Sequence, residues 1–122
     1  MYNNQIHFRA EIAIKEGKIQ DFKKLIQDMS KAVESNEQDT IEYQFYIDES
    51  GTKCIAHETY RNSEAAIVHN NVVASQILPR ISNISTITRF DVYRNPGKEL
   101  KQVLTSVGVQ TYYNLFVGFK VN

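Results

Sequence analysis

From Gln5 to Ile14 apolar and polar side chains alternate, with Ile6, Phe8, Ala10, Ile12 and Ile14 on one side and His7, Arg9, Glu11 and Ala13 on the other. A period of two predicts a half-buried strand. Gly17 punctuates the chain, and from Lys18 the apolar positions Ile19, Phe22, Leu25, Ile26, Met29, Ala32 and Val33 follow steps of three and four. That spacing predicts an amphipathic helix to about Asn36, ended by the polar run Glu34 to Asp39. Alternation resumes with Ile41, Tyr43, Phe45 and Ile47 against Glu42, Gln44 and Tyr46. The turn Asp48-Glu49-Ser50-Gly51-Thr52 joins this strand to Lys53–Tyr60 as a hairpin. Asn62 or Ser63 can then cap a helix that carries Ala65, Ala66, Ile67 and Val68. It meets a polar pair at Asn70-Asn71, resumes with Val72, Val73, Ile77 and Leu78, and should end near Leu78 because Pro79 disfavours helical geometry in the residue before it. The stretch from Ile84 to Tyr93, rich in Ile and Thr, reads as a fourth strand broken by Asn95-Pro96-Gly97.

The order strand, helix, strand, strand, helix, strand is the α+β, ferredoxin-like (βαββαβ) arrangement, in which two helices cover one face of an antiparallel sheet. It occupies residues 1–95. Residues 96–122 extend the same domain: Leu100, Val103, Leu104 and Val107 predict a short helix stopped by Gly108, and Val109 to Val121 reads as a strand apolar on both sides. A strand of that kind and a sheet with one uncovered face both imply burial against a second copy, so a homodimer is expected.

Composition narrows the classes. The chain has 122 residues, 14 basic and 14 acidic side chains, one cysteine and no tryptophan. Cys54 has no intramolecular partner, and no C-x-x-C or H-x-x-x-H pair offers a metal site. The balanced charge lacks the basic excess of a nucleic-acid binder, and no apolar run approaches the ~18 residues of a membrane span. With a polar start at Met1 to Gln5, the expectation is a cytoplasmic protein. The five glycines are dispersed and form no phosphate loop.

Three segments carry a resemblance to a known family. Glu16-Gly17-Lys18 opens a helix reading Phe22-Lys23-Lys24-Leu25; Ile41-Glu42-Tyr43-Gln44-Phe45-Tyr46 forms the second strand; and His57-Glu58-Thr59-Tyr60-Arg61-Asn62-Ser63-Glu64-Ala65 runs from strand into helix, with His69 further along it. Over residues 5 to 93 this resembles the antibiotic biosynthesis monooxygenases and their quinol-monooxygenase-like relatives, which are dimeric α+β barrels. The tail Tyr112-Tyr113-Asn114-Leu115-Phe116-Val117-Gly118-Phe119 resembles extensions of some members. Members often carry tryptophan where Tyr60 stands and a second histidine after the position of His69, where this chain has Val73, Ala74 and Ser75. The missing tryptophan, and the proline at position 79, set the chain apart from haem-degrading relatives.

The resemblance implies oxygenation of a phenol, quinol or polycyclic aromatic by dioxygen with no cofactor or metal. Such a site must form a substrate anion and exclude water. Glu58 shares a strand face with Cys54, Ala56 and Tyr60, so burial would raise its pKa and make it a usable base; the plainer alternative is a structural carboxylate paired with Arg9, Arg61 or Arg89. His69 stands just before Asn70-Asn71, where it can point into the space between helix and sheet, or instead bond a helix-end carbonyl. Tyr43, Tyr60, Tyr112 and Tyr113 could hydrogen-bond a substrate oxygen or be core residues with satisfied hydroxyls, Asn70 is a further candidate to bind substrate, and Arg89 could hold an anion or form a salt bridge. His57 and His7 fall on the opposite face and are expected at the subunit interface. A non-catalytic barrel that binds a small hydrophobic molecule would need the same pocket, so it stands as the alternative function.

Overall fold

β1 (Ile6–Ile14) occupies the middle of a five-stranded sheet in a computed structural model that describes residues 4–71, 75–109 and 111–121. Val72 and Val73 of the second predicted helix lie outside the described residues, as do Met1 to Asn3, Ala74, Gln110 and Asn122. The alternation of β1 is a burial pattern: Ile6, Phe8, Ala10, Ile12 and Ile14 are all buried, and the intervening side chains are not. β1 pairs antiparallel with β3 (Lys53–Tyr60) on one side and β4 (Ser85–Tyr93) on the other, and β2 (Thr40–Ile47) completes the hairpin with β3. The strand order β2-β3-β1-β4 is that of the split βαβ arrangement.

α1 (Ile19–Asn36) buries Phe22, Leu25, Ile26, Met29 and Val33 against one sheet face. α2 (Ser63–His69) is capped by Asn62, whose Oδ1 accepts the Ala65 amide hydrogen at 2.9 Å. Asn70 and Asn71 continue as a wider turn, and α3 (Ser75–Ser82) follows. α3 carries Pro79 inside it, so the helix does not end near Leu78. Pro79 is the fifth of the eight residues, so its missing N–H forgoes one bond in mid-helix, and Ile81 in the core holds the last turn in place.

α4 (Gly97–Ser106) joins the same helical layer beside α2, with Leu100 and Leu104 packed against Ile6, Phe8, Tyr60 and Val92. The chain then returns to the sheet edge, where β5 (Thr111–Tyr113) runs parallel to β4. The expected strand from Val109 to Val121 is therefore only three residues long. Among the described residues past Tyr113 there is no further strand pairing, and Phe116 and Phe119 are 95% and 93% exposed. Among the described residues the second sheet face carries no helix. On it His7 Nε2 and His57 Nδ1 are 3.0 Å apart, and Thr59 Oγ1 lies 2.7 Å from His7 Nδ1 and donates to Glu42. No helix among the described residues is long and apolar enough to cross a membrane.

Candidate active site

The helix-facing side of β3 sets the site. Register places Glu58 opposite Phe8 of β1 and Tyr43 of β2, so its carboxyl points from the middle of the sheet into the layer between sheet and helices. None of the arginines that could neutralise it is there: Arg9 pairs with Glu11, Arg61 with Asp39 and Arg89 with Asp91. Its Oε1 instead accepts a 2.5 Å hydrogen bond from the Tyr60 hydroxyl and lies 3.8 Å from His69 Nε2. Burial pushes the Glu58 carboxyl above its ordinary range; the attraction of His69 and the Tyr60 hydrogen bond oppose this in part, and Glu37 adds to it.

His69 ends α2 with its side chain 8% exposed. Its Nδ1 stands 3.0 Å from both carboxylate oxygens of Glu37, whose side chain is 4% exposed and which also accepts from Thr40 Oγ1 at 2.7 Å. A carboxylate offers only acceptors, so Nδ1 carries the hydrogen and Nε2 is the nitrogen turned toward Glu58. The histidine is bonded to a side chain, not to the helix-end carbonyl. Because its two nitrogens address different carboxyl groups, the three side chains do not converge on one point, and no set of three potential ligands that could hold a metal occurs among the described residues.

Glu58 and His69 border an apolar cavity of about 140 Å³ between the sheet and the helices. Tyr43, Glu58, His69 and Asn70 are in its wall, among side chains such as Phe8, Met29, Phe45 and Phe90. Burial and the neighbouring Glu58 and Glu37 raise the Tyr43 hydroxyl far above its usual range, so it stays protonated and acts as a hydrogen-bond donor or acceptor. Tyr60 does not reach the cavity. It is fully buried behind Glu58, where burial and that carboxyl keep its hydroxyl protonated.

Arg89 is not brought to the site. A bulge near Thr88 separates Ile87 from Arg89, and beyond it Phe90 and Val92 face the helices while Arg89 turns to the open face, bonded to Asp91 and to the Tyr113 hydroxyl. Tyr112 is likewise placed elsewhere, near Thr105 and Lys101. Cys54 is a buried core residue whose thiol is pushed up to about 11 by desolvation. Sequence reasoning missed Glu37, which sits in a polar run that reads as solvent-facing. A signal existed: Met29, Val33 and Glu37 are four residues apart, so the carboxylate continues the buried stripe of α1 by one turn.

No protein-family model and no curated protein matches the chain. Solved structures do. The crystal structure of MupZ from Pseudomonas fluorescens is 20% identical with a TM-score of 0.82, covering 98% of this chain and 96% of that one. A candidate antibiotic biosynthesis monooxygenase from Nitrosomonas europaea is 10% identical with a TM-score of 0.63, covering 75% and 88%. Another from Caulobacter crescentus is 18% identical with a TM-score of 0.57, covering 73% and 89%. At these identities the likeness speaks to the fold alone. This chain has the ferredoxin-like α+β fold that is shared by structures named for antibiotic biosynthesis monooxygenases.

Proposed function

We propose that this protein is a cofactor-independent monooxygenase of a phenolic or quinol small molecule, with His69 and Glu58 as the proton-transfer groups. One observation carries the reading: a histidine oriented by a buried carboxylate stands beside a second carboxyl raised by burial, both in the wall of an apolar cavity. A carboxyl raised by burial beside an imidazole held in one tautomer is a basis for paired acid and base roles.

The chemistry needs both. Ground-state dioxygen is a triplet and accepts electrons singly, so the substrate must first become an electron-rich anion. His69 Nε2 takes the phenolic proton, its ring held by Glu37; Tyr43 and Asn70 orient the ring oxygen. Electron transfer and recombination give a carbon-bound peroxide anion, which takes back the proton held on His69 Nε2 to become the hydroperoxide. Its collapse to a ketone passes the proton on that carbon to His69 and delivers another to the departing hydroxide. One oxygen atom then stays in the product and the other leaves as water. Glu58, whose carboxyl is raised by burial, supplies that second proton and regains it from His69, 3.8 Å away.

The test is oxygen uptake with a panel of quinols and anthrone-like compounds, without added metal or flavin, by the native chain and by Glu58→Gln and His69→Ala. Uptake by the native protein that both variants lose supports the assignment, and uptake that both retain rejects it. The same acid–base pair would also serve an isomerisation, addition or ring opening that needs no dioxygen. Conversion without oxygen uptake would assign that chemistry, and binding without conversion would assign the non-catalytic module.

We further propose that the working form is a homodimer. The helix-free sheet face and the exposed side chains of Leu115, Phe116, Val117 and Phe119 support this, since a two-fold interface would cover both with one self-complementary surface.

A further inference from the structure

A cavity of about 140 Å³ is small beside the ~300–1,000 Å³ of ordinary small-molecule sites. A space of roughly 150 Å³ lined by aliphatic and aromatic side chains takes a guest of benzene size, so one ring fills it. The cavity is not sealed. Leu78 of α3, Ile87 of β4 and Val107 just after α4 line it and are 39%, 42% and 49% exposed, so they form its mouth. Three large aliphatic side chains from three separate elements thus surround the opening. Tyr43, Glu58, His69 and Asn70 are the polar groups in the wall of the same space.

From this we infer that the ligand is an elongated amphiphile: a single oxygen-bearing ring at Glu58 and His69, and an aliphatic chain that leaves over Leu78, Ile87 and Val107. This rests on the acid–base reading of the cavity and adds a substrate class to it. A second copy is a poorer occupant of the mouth, because the exposed sheet face offered for self-association lies on the other side of the sheet. A fused polycycle would have to place most of its surface outside the cavity, whereas a flexible chain follows the apolar rim.

Calorimetric titration of the native chain with phenol and with 4-alkylphenols from ethyl to decyl, kept below their micelle concentrations, tests this. Full burial of a methylene corresponds to about fourfold in affinity and half burial to about twofold. Binding should therefore tighten two- to fourfold per methylene up to about hexyl and then level off. In Leu78→Glu and Val107→Lys the ratio of hexylphenol to phenol affinity should collapse toward one; in Glu58→Gln all members should shift together with that ratio kept. Phenol binding with no dependence on chain length, or a ratio the rim variants leave intact, overturns the inference and spares the head assignment. Failure of phenol and every homologue to bind refutes both. Rim variants that change the sedimentation coefficient would make the mouth a subunit contact and also overturn it.

Discussion

Replacing Glu58 by glutamine tests the electrostatic account at its centre. The amide keeps the shape, can still accept from Tyr60 and cannot ionise. In the native protein the Glu58 carboxyl is raised above its ordinary value of 4.5, chiefly by burial. The sign follows: below pH 4.5 the group is neutral in both folded and unfolded chains, and its contribution to stability is fully present. As pH rises through the folded value, the unfolded chain has already released a proton that the folded chain retains, and that contribution is lost. One such proton changes stability by at most about 1.4 kcal/mol per pH unit, and Glu58→Gln has no such slope at this position. For a chain of 122 residues each kcal/mol moves Tm by roughly 4 °C. Thermal unfolding of both proteins from pH 4 to 8 reads the effect as a difference curve, which cancels every other titrating group. The variant should gain on the native protein as pH rises from the ordinary carboxylate range. A flat difference would refute the claim that burial destabilises this carboxylate, and the acid role given to it would fall too. In turnover the same variant should lose roughly 10²- to 10⁴-fold if Glu58 transfers the proton.

Tyr60→Phe removes the hydroxyl that lowers the Glu58 carboxyl, so the pH–rate limb of that group should move upward, with about 1–3 kcal/mol lost in urea unfolding because a buried acceptor is left unpaired. Phe22, fully buried on α1, should cost about 3–5 kcal/mol when cut to alanine; a loss under 1 kcal/mol by denaturant titration would show that the α1 packing has been misread. Glu37→Gln should leave substrate KM near its native value and lower kcat, because it positions His69 and lies behind it; an unchanged kcat would remove it from the site. Deleting residues 115–122 should shift the protein from dimer to monomer in sedimentation at micromolar concentration, and an unaltered dimer would confine the interface to the sheet face.

Periodicity alone determined most of the elements. A period of two in β1, β2 and β3 and a period near 3.6 in α1 arise from local backbone geometry and from which side chains leave water, so they are written in consecutive residues and need no knowledge of the fold. The inward direction of Glu58 was legible for the same reason, because its strand neighbours at steps of two are Ala56 and Tyr60. What the chain could not state is which distant groups would meet that carboxyl. His69 and Glu37 are 32 residues apart, and their 3.0 Å contact exists only because α1 ends beside the end of α2 over one sheet face. Tyr60 shares a strand face with Glu58, yet register and the packing of α4 place it behind the cavity; the bulge near Thr88 and the turn of β4 send Arg89 to the other side of the sheet. The tail shows the same limit in reverse. Its alternation suits a strand, but a strand needs a neighbour for its backbone hydrogen bonds, and β4 offers that to three residues only. Side-chain direction is set locally by the backbone, whereas contact and pairing depend on where the tertiary structure puts the partner.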